Sequence, residues 1–445
     1  MPTKRRVALS HTMISPRLKA WCQRWFMLWL AVIMCLLPVL FESSAYAQDE
    51  VNVEDQAVQA AGGSTVYIPQ VHGNAVSRSL SGSGLVRQGM FYDAPADGTS
   101  PRTVAQRASV VVFTRGKIRY LNELRQQGFR GLALQYVLSN EVIGPGPYAN
   151  SSAACDRAFT PTNNNVANQL GDFCTYIHPN ESWFLHNGKG ERLYSRTGRG
   201  VAYHMNPASA GWRAFARARI LRDLVGDATQ ARIGFDGIYL DNLAVGTYKL
   251  RHQLSNSDGV VREYPTNESY RAAAIGYLDS VVAPLRAGGP IWANLIDDFE
   301  NTAAEYQAYV DRLDGYLNEG WAVGYVGRTG PSPARWHEML TIAERAQRQG
   351  KGVFAVVQGH RTDHARQRFG LASYLLITDL QRAVFRYANA EAYHEWWQYD
   401  NYQVALGAPQ GARYQVGSTW RRDFACGYVE VDPAARTANI VQTCD

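Results

Sequence analysis

Gly234-Phe-Asp-Gly-Ile-Tyr-Leu-Asp-Asn242 reads as a buried strand that closes on a carboxylate. A second stretch, Leu313-Asp-Gly-Tyr-Leu-Asn-Glu-Gly320, follows the same pattern: an apolar residue, Asp-Gly, then an acid five positions after the Asp. Five positions is an odd step along a strand, so the two acids within one stretch face opposite ways. The pair the sequence offers is therefore one acid from each stretch, Asp241 with Glu319. Asp236 and Asp314 read as structural, because Asp-Gly is a turn signal.

Outward from these stretches, strand-like runs alternate with helical patterns. The runs cover 109–113, 131–138, 201–205, 234–241, 291–296, 315–319, 353–357 and 383–387. Helical spacing of apolar residues fills most of the gaps, as with Trp212, Phe215, Ala216, Ile220 and Leu224. Eight β-then-α units predict an α/β fold, a (β/α)8 TIM barrel, over 85–400. A doubly wound open sheet is the rival, but its glycine fingerprint is missing. After 401 the pattern turns to short alternating strands without helices, which predicts a small C-terminal antiparallel β module over 401–445.

The chain opens differently. Basic residues from Lys4 to Arg24 precede an apolar run over 26–40 and then Ala45-Tyr-Ala47, the layout of a secretory signal peptide over 1–47. Met13 as a start and an uncleaved anchor are the variants of that reading. Residues 48–84 read as a flexible leader. Loss of 1–47 removes six basic residues and one acid, which takes the net charge from +6 to +1. A near-neutral mature chain gives no electrostatic reason to expect nucleic acid, and no membrane is expected as partner once the signal is cleaved. The expected location is secreted or periplasmic. Four cysteines remain: Cys426 and Cys444 flank a hairpin, and Cys155 and Cys174 bracket a polar loop, so two local disulfides are expected. That loop belongs to a long insertion over 139–200.

Two carboxylates at the C-terminal ends of two barrel strands suit glycosidic bond cleavage, in which one donates a proton and the other attacks or activates water. Asp241 ends the fourth strand and Glu319 the sixth, which leaves room for both the retaining and the inverting separation. Glu319, beside Gly320 and Trp321, is expected to be the general acid. Asp241, beside Asn242, is expected to be the ionised partner. Tyr203, His204, Tyr239, Asn242, Asn294, Trp321, Gln358 and Tyr387 are the expected substrate-binding residues, with Gln135, Tyr136 and Arg386 as further polar groups at strand ends. No cofactor is expected, and no metal site, although Asp297, Asp298 and Glu300 form an acidic cluster. No zinc-protease motif, P-loop or nucleophile elbow occurs.

The first stretch resembles TIM-barrel glycoside hydrolases with a Phe-Asp-Gly-x-x-x-Asp motif. Met205-Asn-Pro-Ala-Ser-Ala-Gly-Trp-Arg213, Leu317-Asn-Glu-Gly-Trp321, Leu406-Gly-Ala-Pro409 and Arg422-Asp-Phe-Ala-Cys-Gly-Tyr-Val429 extend the resemblance to hypothetical glycosyl hydrolase family 15 and, more distantly, to endo-α-1,4-polygalactosaminidases. It implies a polysaccharide or oligosaccharide substrate and catalytic acids at Asp241 and Glu319. The competing reading is a non-catalytic carbohydrate-binding or polysaccharide-assembly protein on the same barrel.

Overall fold

The computed structural model describes residues 86–296, 301–327 and 329–444. The signal peptide, the leader and the Asp297, Asp298 and Glu300 cluster lie outside the described residues.

Valine- and aromatic-rich runs form the first three strands, Gln88–Tyr92 (β1), Ala108–Phe113 (β2) and Leu132–Leu138 (β3). The insertion then supplies Glu141–Gly144 (β4), Tyr194–Thr197 (β5) and Gly200–His204 (β6), which pair antiparallel as a separate sheet. Gly237–Ala244 (β7), Ile291–Ile296 (β8), Gly315–Asn318 (β9), Gly352–Gln358 (β10) and Ala383–Ala388 (β11) return to the parallel set. The strands β1, β2, β3, β7, β8, β9, β10 and β11 close into one barrel. Their residues are buried on both faces, as parallel strands under a helical layer must be.

One strand expectation is corrected. The run 201–205 is no barrel strand: it pairs antiparallel with β4 and β5 inside the insertion. The true first strand is Gln-Gly-Met-Phe-Tyr, which carries no β-branched residue and so gave only a weak strand signal. One strand too many and one too few cancel, so β7 and β9 are still the fourth and sixth of eight.

Inside the barrel, Phe91, Val112, Leu134, Tyr239, Trp292 and Phe354 form one apolar plug. Trp292 fits only because β9 and β10 bring glycine against it: a Cβ at Gly315 or Gly352 would overlap its ring. Below the plug the two Asp-Gly motifs form the same clasp twice. Asp236 N–H donates to Ala133 O (2.8 Å), and its Oδ2 accepts from Ala133 N–H (2.8 Å). Asp314 does the same with Ile291, at 2.9 Å both ways. Arg125 then bonds Asp236 and Gly234 O, and Arg286 bonds Asp314 and Arg312 O. In each case the arginine also reaches the carbonyl two residues before the aspartate.

Four C-terminal strands, Tyr414–Val416 (β12), Thr419–Phe424 (β13), Gly427–Asp432 (β14) and Thr437–Gln442 (β15), make an antiparallel sheet in that order. Arg422 fixes it to the barrel by donating to the carbonyls of Leu375, Leu376 and Thr378 at the end of helix His364–Leu375. Both cysteine pairs are bridged as expected, Cys155 with Cys174 and Cys426 with Cys444. Among the described residues, no helix is long and apolar enough to cross a membrane.

Candidate active site

Asp241 lies near the C-terminal end of β7, where the register against β8 slips between Leu240 and Leu243. Such a bulge adds a residue and re-aims the side chains around it. Asn242 takes the extra turn with φ of 58°, a left-handed conformation that asparagine tolerates better than most residues. Asp241 is 7% exposed. Its Oδ2 accepts from the Tyr136 hydroxyl, and its Oδ1 accepts from Asn294 Nδ2 at 3.0 Å.

Glu319 follows β9 directly. Its Oε2 accepts from the same Asn294 Nδ2 at 3.1 Å, and its Oε1 accepts from the Tyr393 hydroxyl and, more weakly, from Gln358 Nε2 at 3.5 Å. One amide nitrogen thus bridges the two carboxylates, so the facing oxygens lie within about 6 Å of each other. The amide thus turns its nitrogen, the donor, toward both acids.

Burial raises both acids above their ordinary values. For Glu319 the charge of Asp241 adds to the effect, and the bonds from Tyr393 and Asn294 oppose it. For Asp241 the bonds from Tyr136 and Asn294 oppose it. Burial also drives Tyr136 and Tyr393 well above the ordinary tyrosine value, so both hydroxyls keep the proton they donate.

A second group of charges stands beside Asp241. Glu141, at the start of β4, accepts from Lys249 Nζ (2.7 Å) and from Asn242 Nδ2 (3.2 Å), and it lies 3.6 Å from His204 Nδ1. Burial alone would raise Glu141; Lys249, His204 and these bonds outweigh it and hold it below the ordinary value. Burial pushes His204 down to about 4, so the ring is neutral at neutral pH and its contact with Glu141 is then no ion pair.

The structure gathers Asp241, Asn242, Asn294, Glu319, Gln358 and His204 at this end of the barrel. Tyr239 lies just below, fully buried in the plug and stacked on Tyr136. Three expected residues are not brought here. Tyr203 is buried within the insertion, where its hydroxyl donates to Pro145 O and accepts from Tyr148 N–H. Tyr387 points outward from β11 into the helical layer, with its hydroxyl on His360 O and Asp363 O. Trp321 is fully buried in the outer core and offers no ring face to a ligand. Arg386 acts indirectly: it donates to Tyr393 O and Glu395 O and so anchors the segment that carries the Tyr393 hydroxyl.

Glu141, Lys249 and Tyr393 were not foreseen. Glu141 had a usable signal, since the apolar run over 132–138 also ends on an acid, at Ser139-Asn-Glu141. Tyr393 had none, because it sits in the irregular stretch after the last strand.

Two bridged carboxylates at the C-terminal end of a barrel are equipped to pass a proton and to attack or activate a nucleophile. The chain is similar in structure to the glycoside hydrolase domain of PelA from Pseudomonas aeruginosa (14% identity, 68% of this chain and 94% of that chain, TM-score 0.41). It is also similar to Ega3 of Aspergillus fumigatus, solved with galactosamine (12%, 71% and 94%, 0.39), and to the α-galactosidase TtGalA of Thermus thermophilus (12%, 80% and 67%, 0.41). Likenesses this distant bear on neither substrate nor mechanism. No curated protein sequence matches the chain. The profile of hypothetical glycosyl hydrolase family 15 matches residues 147–428, more than half of the chain and all of the strands that bear the two acids, and the protein belongs to that family.

Proposed function

We propose that the protein is an exported glycoside hydrolase that cleaves O-glycosidic bonds of a polysaccharide by a two-carboxylate mechanism. The observation that carries the reading is the bridging of Asp241 and Glu319 by Asn294. Family membership supports the reaction class. The two disulfides agree with an oxidising compartment.

The separation of about 6 Å or less fits the roughly 5–5.5 Å of retaining enzymes better than the 6.5–9.5 Å that admits a water between the groups. Asp241 is the nucleophile in this reading. Tyr136 and Asn294 solvate its charge, and it attacks the anomeric carbon as the glycosidic bond breaks. Glu319, whose hold on a proton is strengthened by burial and by the charge of Asp241, gives its proton to the leaving oxygen. It then takes a proton from the water that releases the sugar from Asp241. Asn294 keeps the two carboxyl groups at a fixed spacing through both steps. Tyr393 and Gln358 orient Glu319.

The test is a reducing-sugar assay over glucans, chitin, mannan, galacturonan and α-1,4-linked galactosamine, with wild type, Asp241→Asn and Glu319→Gln. We expect product from at least one polymer and a loss of roughly 10²–10⁴-fold in Glu319→Gln, with a loss at least as large in Asp241→Asn. Activity that survives both substitutions contradicts the assignment. Binding without product from any polymer favours a non-catalytic carbohydrate-binding protein.

A further inference from the structure

The long insertion has no part in the two-carboxylate step, yet it encloses a cleft. Its loops at Thr162–Asn164 and Thr197–Arg199 face the C-terminal ends of β1 and β2, at Tyr92, Asp93 and Thr114, across a space of about 360 Å³. That volume falls within the roughly 300–1,000 Å³ of small-molecule sites.

Three observations tie this cleft to a sugar chain. The first is position. Tyr92 forms one wall, and its ring meets the Tyr136 ring edge-on with centroids 4.7 Å apart. The Tyr136 hydroxyl donates to Asp241, so a single ring separates the cleft from the proposed nucleophile.

The second is chemistry. Asn163, Thr114 and Thr197 line the space with an amide and two hydroxyls, which both donate and accept, as a polyol requires. Asp93 already holds Lys117 at 2.8 Å. Arg199 also lines the space, and no carboxylate is paired with it among the described residues.

The third is construction. The insertion is built to hold these loops in place. The Cys155–Cys174 bridge closes the segment that carries Thr162–Asn164. Asn165 donates to Ile143 O at 2.6 Å, and Asn163 packs on the turn at Gly116, where a Cβ would strike its amide. The loop with Thr197 and Arg199 joins β5 to β6 and is fixed by the pairing of Thr197 with Gly200.

We propose that this cleft is a subsite for further sugar units of a hydroxyl-rich polymer, so that the enzyme selects for chain length. The proposal rests on the glycosidase reading for its reaction and on the cleft between the insertion and the ends of β1 and β2 for its location. Tyr92 supplies a ring edge and hydroxyl at the junction with the carboxylates, and Asn163 and Arg199 recognise the distal units.

The test uses the full chain carrying Glu319→Gln, which keeps the cleft and removes turnover. It is titrated with cellohexaose, maltohexaose, chitohexaose and hexagalacturonate, and with the corresponding disaccharides. We expect at least one hexasaccharide to bind tenfold or more tightly than its disaccharide. That gap should shrink to about twofold in Tyr92→Ala and in the exposed double variant Asn163→Ala/Arg199→Ala, which leaves the packed rings intact. A gap that persists in the double variant overturns the proposal. So does failure of every hexasaccharide to bind better than its disaccharide. Both outcomes leave the glycosidase reading to the reducing-sugar assay, in which loss of the carboxylates, not of the cleft, is decisive.

Discussion

At one end of the barrel, Asp236 and Asp314 exchange backbone and side-chain hydrogen bonds with Ala133 and Ile291 and each hold an arginine. Five residues on along each stretch, Asp241 and Glu319 accept from side chains: two tyrosine hydroxyls, one glutamine and a shared asparagine. The two pairs differ in what their partners are. A carboxylate that satisfies a strand's peptide N–H and a guanidinium completes the scaffold. A carboxylate brought beside a second one in a buried site is held there by its neighbours against its own electrostatics. The sequence motif is the same at both stretches, because each Asp-Gly clasp sets the start of a strand whose other end presents an acid.

The largest expected difference between the pairs is in activity. Asp236→Asn and Asp314→Asn should leave turnover within about threefold of wild type where the two upper substitutions remove it, as measured on the same polymer. A comparable loss on both rims would erase the distinction.

Stability should move in opposite directions. Asp314→Ala leaves the buried Ile291 N–H without its acceptor and should lower unfolding free energy by roughly 1–3 kcal/mol in denaturant titrations. Glu319→Gln should raise it at neutral pH. The folded-state value of Glu319 lies above the ordinary one, so the stability it contributes is present at low pH and is lost as pH rises through the raised value. The gain in the Gln variant should therefore vanish as pH falls below the ordinary glutamate value of 4.5. An Asp314→Ala protein as stable as wild type, or a Glu319→Gln protein less stable at neutral pH, would show that the two pairs do not differ in this way.

The smallest effects fall within the upper pair. Tyr136→Phe removes a donor that lowers Asp241, so the acid limb of the pH–rate profile should move to higher pH and narrow the bell. Tyr393→Phe removes a donor that lowers Glu319, so the alkaline limb should move to higher pH and widen it. Shifts of the opposite limbs would exchange the two roles.

The barrel was legible because its strands are short apolar runs punctuated by helical spacing, and Asp241 and Glu319 were legible because a charged residue twice closes such a run. What failed did so for identifiable reasons. Gln88–Tyr92 has a weak strand composition, and 201–205 has a strong one but spends it on a sheet inside the insertion. Tyr203, Tyr387 and Trp321 lie next to strand ends in sequence, but parity and packing turn them into the core. Asn294 was expected among the sugar-binding residues, and the structure shows it bridging the two acids. That bridge depends on three strands meeting at one height, which no single stretch of sequence encodes.

The most direct test of the central claim is azide rescue of Asp241→Ala and Glu319→Ala on an aryl glycoside of whichever sugar the polymer assay identifies, with the product anomer read by proton NMR. Nucleophilic attack by Asp241 requires that azide restore turnover in Asp241→Ala and yield the glycosyl azide of inverted configuration, and that the Glu319→Ala product retain configuration. Inverted azide from Glu319→Ala, or no azide adduct from either variant, would contradict it.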